Sequence, residues 1–124
     1  MKLRIKDASV RLRLDKVDLD TLNEKGKVET VTPFWNRMLK YAVRTTTSVS
    51  HLSATFENER IMLYIPESYL AEMIETDKVG FDHVQKNEDG TQLSILIEKD
   101  FKCLTPRNED ESNAFPNPQE GHSC

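Results

Sequence analysis

The sequence predicts a strand-rich α+β fold built from a ββαββ unit used twice, with two short helices and an internal pseudo-two-fold relation between the halves. Three observations carry that expectation. Apolar residues alternate with polar ones over most of residues 1–100, which is the period of half-buried strands. Two short stretches break to helical spacing, one after Asp15 and one after Pro66. Shifting the chain by 51 positions then brings apolar residues of the two halves into register, Leu3 onto Ala54, Ile5 onto Phe56, Val10 onto Ile61, Leu12 onto Leu63, Leu14 onto Ile65, Leu19 onto Leu70, Leu22 onto Met73 and Val28 onto Val79. Each half is expected to cover the other's apolar sheet face.

Leu3 and Ile5 alternate with Arg4 and Lys6, and Val10, Leu12 and Leu14 alternate with Arg11 and Arg13. The parity changes across Asp7-Ala8, so a turn or bulge is required there. Asp15 suits the N-cap of a helix with Val17, Leu19 and Leu22 on its apolar side, and Gly26 suits its C-terminal stop. Strands follow over Val28 to Thr32 and where Leu39, Tyr41 and Val43 alternate, with a break after Pro33. In the second half, Leu52, Ala54 and Phe56 are joined to Ile61, Leu63 and Ile65 by the polar stretch Glu57-Asn58-Glu59-Arg60, a hairpin signal. Pro66 opens a helix with Leu70, Met73 and Ile74 on one face, ending near Thr76. Val79, Phe81 and His83 form a strand, Asn87 to Gly90 a turn, and Leu93, Ile95 and Ile97 the last strand. Residues 1–103 are thus one duplicated domain with repeats at about 1–47 and 52–100, and residues 104–124 an acidic tail rich in Pro and Asn.

Of the 124 residues, 37% are hydrophobic and 31% charged, enough for a core under a heavily solvated surface. The longest apolar run is Ile61 to Ile65, far short of a membrane-crossing helix, and the basic start lacks the apolar stretch of an export signal. A cytoplasmic protein is expected. Only four glycines occur, with no phosphate-cradling loop, and neither HExxH nor GxSxG is present. Cys103, His122 and Cys124 lack the close pairing of zinc ligands, and Cys103 as a nucleophile would need His51 or His83 as base. The expectation is no metal, no cofactor and no catalytic residue.

Charge is uneven although the net value is −4. Residues 1–16 carry net +4 and residues 104–124 net −3. Arg4, Lys6, Arg11 and Arg13 alternate with the apolar strand positions, so they share a sheet face opposite the core, either as a stripe for an anionic partner such as DNA or as a solvated face paired to acids. Phe34 and Trp35 are either an exposed anchor for a protein partner or caps on the core. Phe115, between the acidic run Glu109 to Glu111 and Pro116, is a further anchor candidate, through which the tail would lie back over the basic strands.

Two resemblances rest on particular residues. Met1 to Leu14, Glu98 to Leu104, Arg107 and the run from Glu109 to Pro118 resemble a family of short uncharacterised bacterial proteins, which implies no activity. Each repeat, most clearly Arg60 to Pro66 with its following helix, Thr76-Asp77-Lys78-Val79 and Asp89-Gly90, is similar to the AbrB/MazE swapped-hairpin unit of transcription factors and antitoxins. That resemblance implies a swapped-hairpin-like sheet or barrel, with DNA or a protein as partner. The first repeat departs from the pattern, with Asp15 where the helix-leading Pro would stand. Two functions follow: a binding module for an anionic partner, or an antitoxin- or adaptor-like module that uses the acidic tail.

Overall fold

The computed structural model describes residues 1–101, in the order β1 (Lys2–Lys6), β2 (Ser9–Leu14), α1 (Lys16–Lys25), β3 (Lys27–Phe34), β4 (Arg37–Thr46), β5 (Ser53–Glu57), β6 (Arg60–Pro66), α2 (Glu67–Glu75), β7 (Gly80–Lys86) and β8 (Gln92–Lys99). The predicted parity change is a hairpin turn, with Asp7 at φ 49° and the antiparallel register closing on Lys6 opposite Ser9. The same device recurs at Asn58 and Glu59, both at positive φ.

Two four-stranded sheets result, ordered β1-β2-β8-β7 and β3-β4-β6-β5. Neither sheet belongs to one half of the chain. Each helix carries the chain from a hairpin in one sheet to a hairpin in the other, so the halves exchange hairpins. Parallel pairing of β2 with β8 and of β4 with β6 joins them. Leu12 stands beside Ile97 in the first sheet and Val43 beside Leu63 in the second, and all four are fully buried.

α1 begins in a capping box. The Asp18 N–H donates to Asp15 Oδ1 (2.8 Å) and the Asp15 N–H donates back to Asp18 Oδ2 (2.9 Å). Gly26, at φ 76°, stops the helix by donating its N–H to the Leu22 carbonyl, and β3 starts at the next residue. Leu19 and Leu22 point from α1 into the core, as Leu70 and Met73 do from α2. Val17 and Ile74, assigned by spacing to the apolar faces, are instead exposed, because the buried stripe of each helix is only one residue pair wide.

The duplication holds through β1, β2 and α1, then slips. Val28 faces Val43 across β3 and β4, while the residue facing Ile97 across β7 and β8 is Phe81. Phe81, not Val79, is therefore the counterpart of Val28, and Val79 lies exposed ahead of β7. The cause is the helix ends: left-handed Gly26 reverses the chain in one residue, whereas α2 ends on extended Thr76 and needs residues 76–79 to reach β7. A slip of two preserves strand parity and so leaves the alternation unchanged.

The core is Val10, Leu12, Leu14, Leu19, Leu22, Val43, Leu52, Leu63, Ile65, Leu70, Met73, Ile95 and Ile97. Among the described residues no charged or polar side chain is buried, and no buried side-chain nitrogen or oxygen lacks a partner. Where the edge strands β5 and β7 meet, the Gln85 amide acts as a piece of backbone. Its Oε1 accepts from the Ala54 N–H (2.8 Å) and its Nε2 donates to the Ala54 carbonyl (3.0 Å).

Leu12→Ala and Leu63→Ala, at equivalent fully buried places, should each cost roughly 2–5 kcal/mol in chemical denaturation. Comparable losses are expected from both. Asp15→Ala should cost about 1 kcal/mol by removing the cap. The backbone hydrogen bond from Asp18 holds the Asp15 carboxyl below its ordinary value of 3.8. A depressed folded-state pKa stabilises above the unfolded value and stops doing so as pH falls through the folded one. The gap between wild type and variant should therefore be full at neutral pH and close on acidification below about pH 3.8, as measured by melts across pH.

Candidate anion-binding face

The outer side of the first sheet is built by cross-strand rows. Arg4 faces Arg11 and Lys2 faces Arg13 between β1 and β2, while Lys6 faces Ser9. Arg11 continues to Leu96 and Asp82, Arg13 to Glu98 and Gly80, and Ser9 to Ser94 and Val84. Residues directly opposite each other share a sheet face, so the four predicted cations do stand together. Lys2 joins them at the end of the same alternation.

The pairing of these charges is partial. Glu98 accepts from Arg13 Nε at 2.8 Å and lies 3.8 Å from Arg11 Nε, so one carboxylate serves two guanidinium groups. Lys2 pairs with Asp100 at 2.9 Å. Arg4 and Lys6 are exposed and form no ion pair with a carboxylate among the described residues. The two readings of the stripe are thus divided between residues: Arg13 is anchored, Arg11 is shared, and Arg4 and Lys6 stand open.

Two concavities mark this face. A small one of about 170 Å³ is lined by Lys2, Leu3, Arg4, Arg11 and Arg13. The larger, an open groove of about 520 Å³, has Ser9, Arg11, Asp82, Val84, Ser94 and Leu96 on its walls. Arg11 borders both. The framework does not impose the cations: in the second sheet the counterparts of Lys2, Arg4, Arg11 and Arg13 are Ser53, Thr55, Met62 and Tyr64. The cations that face does carry include Arg60 and Lys27, which converge on Glu29 at 2.7 and 3.5 Å. Burial opposes ionisation of Glu29, but the Arg60 hydrogen bond and the two positive charges outweigh it and lower its pKa.

Sequence reasoning missed Glu98, Asp82, Ser94 and Leu96, because β8 reaches β2 only through the long-range parallel pairing. Lys2 was legible from the alternation alone.

The aromatic candidates lie elsewhere. Strand β3 runs through Pro33 to Phe34 rather than breaking after Pro33, which an edge strand permits because its outer N–H has no partner to lose. Trp35, at φ 54°, and Asn36 form the hairpin tip. Trp35 is 99% exposed and Phe34 59%, so neither caps the core. Phe34, with Met38 and Phe56, lines a hollow of about 330 Å³ beside the Arg37–Glu59 ion pair. His83 stacks on His51 with ring centres 4.6 Å apart. Phe115, Cys103, His122, Cys124 and the acidic run lie outside the described residues. Among the described residues, no helix is long and apolar enough to cross a membrane, and no group of three His, Cys, Asp or Glu side chains could hold a metal ion.

No curated protein and no solved structure matches the chain significantly. A family model covers residues 1–119, and it is that of a family of unknown function, DUF7009. With nearly its whole length matched, the chain belongs to that family of unknown function.

Proposed function

We propose that the chain is a non-catalytic binding module that takes an anionic partner on the outer face of its first sheet. The observation that carries this reading is the set of five cations on two adjacent strands, Lys2, Arg4, Lys6, Arg11 and Arg13, of which Glu98 serves Arg11 and Arg13 and Asp100 serves Lys2, while Arg4 and Lys6 form no ion pair among the described residues. Like charges directly opposite each other weaken a strand pair, so Arg4 opposite Arg11 serves the hairpin poorly and an anion well. The net charge of −4 opposes binding by the molecule as a whole, but Debye screening at physiological salt limits repulsion to about 8 Å. A local stripe therefore acts largely on its own.

DNA is the first polyanion to test. The similarity of each repeat to the AbrB/MazE unit points that way, and the exchange of hairpins between the two sheets supports it. The second reading, a protein-interaction module, draws support from exposed Trp35, Phe34, Met38 and Phe56 at the far end of the second sheet, with the acidic tail as a further binding segment.

Duplex DNA titrated into the full chain should bind with an affinity that falls linearly on a log-log plot against salt. The double variant Arg4→Ala/Arg11→Ala should weaken binding and flatten the salt slope by about two, one for each lost phosphate contact, while costing no more than roughly 1 kcal/mol per charge in stability. Absence of DNA binding at low salt would leave the protein-interaction reading ahead. Glu98→Gln gives the opposite sign, since it releases Arg11 and Arg13 from their shared carboxylate. Tighter binding with a steeper salt slope is expected in the same titration.

A further inference from the structure

We infer that the outer face of the first sheet takes a compact phosphate monoester lying across the strands, of the class of amino-bearing nucleoside monophosphates, rather than only a long polyanion lying along them. This rests on the anion-binding reading of the same face and names the ligand chemistry that fits it.

One cross-strand row runs Arg4, Arg11, Leu96, Asp82 from β1 to β7. Its charge changes sign along its length: two guanidinium groups, an apolar side chain, then a carboxylate. At about 4.8 Å between strands, Arg11 and Asp82 are separated by roughly 10 Å of sheet and Arg4 and Asp82 by about 14 Å. The next row places Ser9 and Ser94 between Lys6 and Val84. Ser9 Oγ donates to the Lys6 carbonyl at 2.7 Å, which leaves its oxygen free to accept.

The two concavities follow this row. The cationic hollow of about 170 Å³ has the size and lining for one phosphate, which guanidinium groups bind in a bidentate manner. The adjoining groove of about 520 Å³ then offers an apolar strip, Leu96 with 47%-exposed Val84, flanked by the two serine hydroxyls. At its far wall stands Asp82, exposed and without an ion pair among the described residues.

A uniformly anionic strand crossing the sheet would bring a phosphate against Asp82, at a cost. A ligand with phosphate at one end, a flat apolar ring in the middle and an amino group at the other meets every wall with its complement. The ribose hydroxyls face Ser9 and Ser94, the base covers Leu96 and Val84, and its exocyclic amino group donates to the Asp82 carboxylate.

The test uses the full chain, isotope-labelled, with adenosine monophosphate, inorganic phosphate and adenosine titrated separately and duplex DNA as reference. Adenosine monophosphate should bind at least tenfold more tightly than phosphate or adenosine, shifting amide resonances on β2, β8 and β7. Arg4→Ala should weaken both phosphate-bearing probes. Asp82→Asn should weaken adenosine monophosphate about threefold to tenfold, the worth of an exposed hydrogen bond to a charged group, and leave phosphate unchanged or tighter. Both side chains are exposed, so folding is preserved, and an unchanged spectrum away from the face verifies it. Adenosine monophosphate binding no tighter than phosphate, or an indifferent Asp82→Asn, overturns the inference. If DNA still binds in that case, the anion-binding reading survives it; if DNA, phosphate and the nucleotide all fail, both readings fall.

Discussion

Everything in this fold depends on the two parallel contacts, β2 with β8 and β4 with β6, which join hairpins from opposite halves of the chain. Without them each hairpin would be a two-stranded ribbon, marginal in water. With them, eight strands become two sheets whose central pairs, Leu12 with Ile97 and Val43 with Leu63, are shut away from solvent. Neither half can bury its apolar face alone, because half of each sheet comes from the other. The fold should be cooperative for that reason, and its contacts are far apart in sequence.

The same contacts decide what the outer surface is. Parallel pairing of β2 and β8 brings Glu98 beside Arg13, sets Leu96 beside Arg11, and through β7 adds Asp82 to the row. A stripe of cations on a lone hairpin would be only a basic patch. Set in the sheet, it becomes a face with a charged hollow, an apolar strip and an acidic wall.

Local signals were legible wherever one residue type does the work. Asp15 and Gly26 delimit α1 because a carboxylate satisfies orphan amides and a glycine accepts positive φ, and the parity change at Asp7-Ala8 forces a turn whatever the rest does. The shared face of Arg4, Lys6, Arg11 and Arg13 follows from alternation alone. Long-range facts were hidden. The two-residue slip that replaces Val79 by Phe81 preserves parity, so only the different helix ends, Gly26 and Thr76, mark it. Phe34 and Trp35 are open to two readings, exposed anchor or core cap, and alternation alone could not show that β3 ends at Phe34 with Trp35 on an exposed two-residue hairpin tip. The fate of each cation was invisible too, since the partner of Arg13 lies 85 residues away in sequence.

The pseudo-symmetry is therefore a property of the core and not of the surface. Where β5 meets β7 the Gln85 amide bridges both backbone groups of Ala54; the corresponding residue in the first half is Thr32, too short for the same bridge. The outer rows diverge further, cations in one half standing where Ser53, Thr55, Met62 and Tyr64 stand in the other. Core positions are constrained alike because each must fill the same interior. Outer positions are released from that constraint, and Arg4 opposite Arg11 does nothing for the hairpin. Local energetics at those positions favour opposite charges or neutral pairs, as the second sheet shows with Arg60 and Lys27 gathered on Glu29. A charge arrangement that the fold tolerates but does not need makes the outer face of the first sheet the place where the proposed function is to be tested.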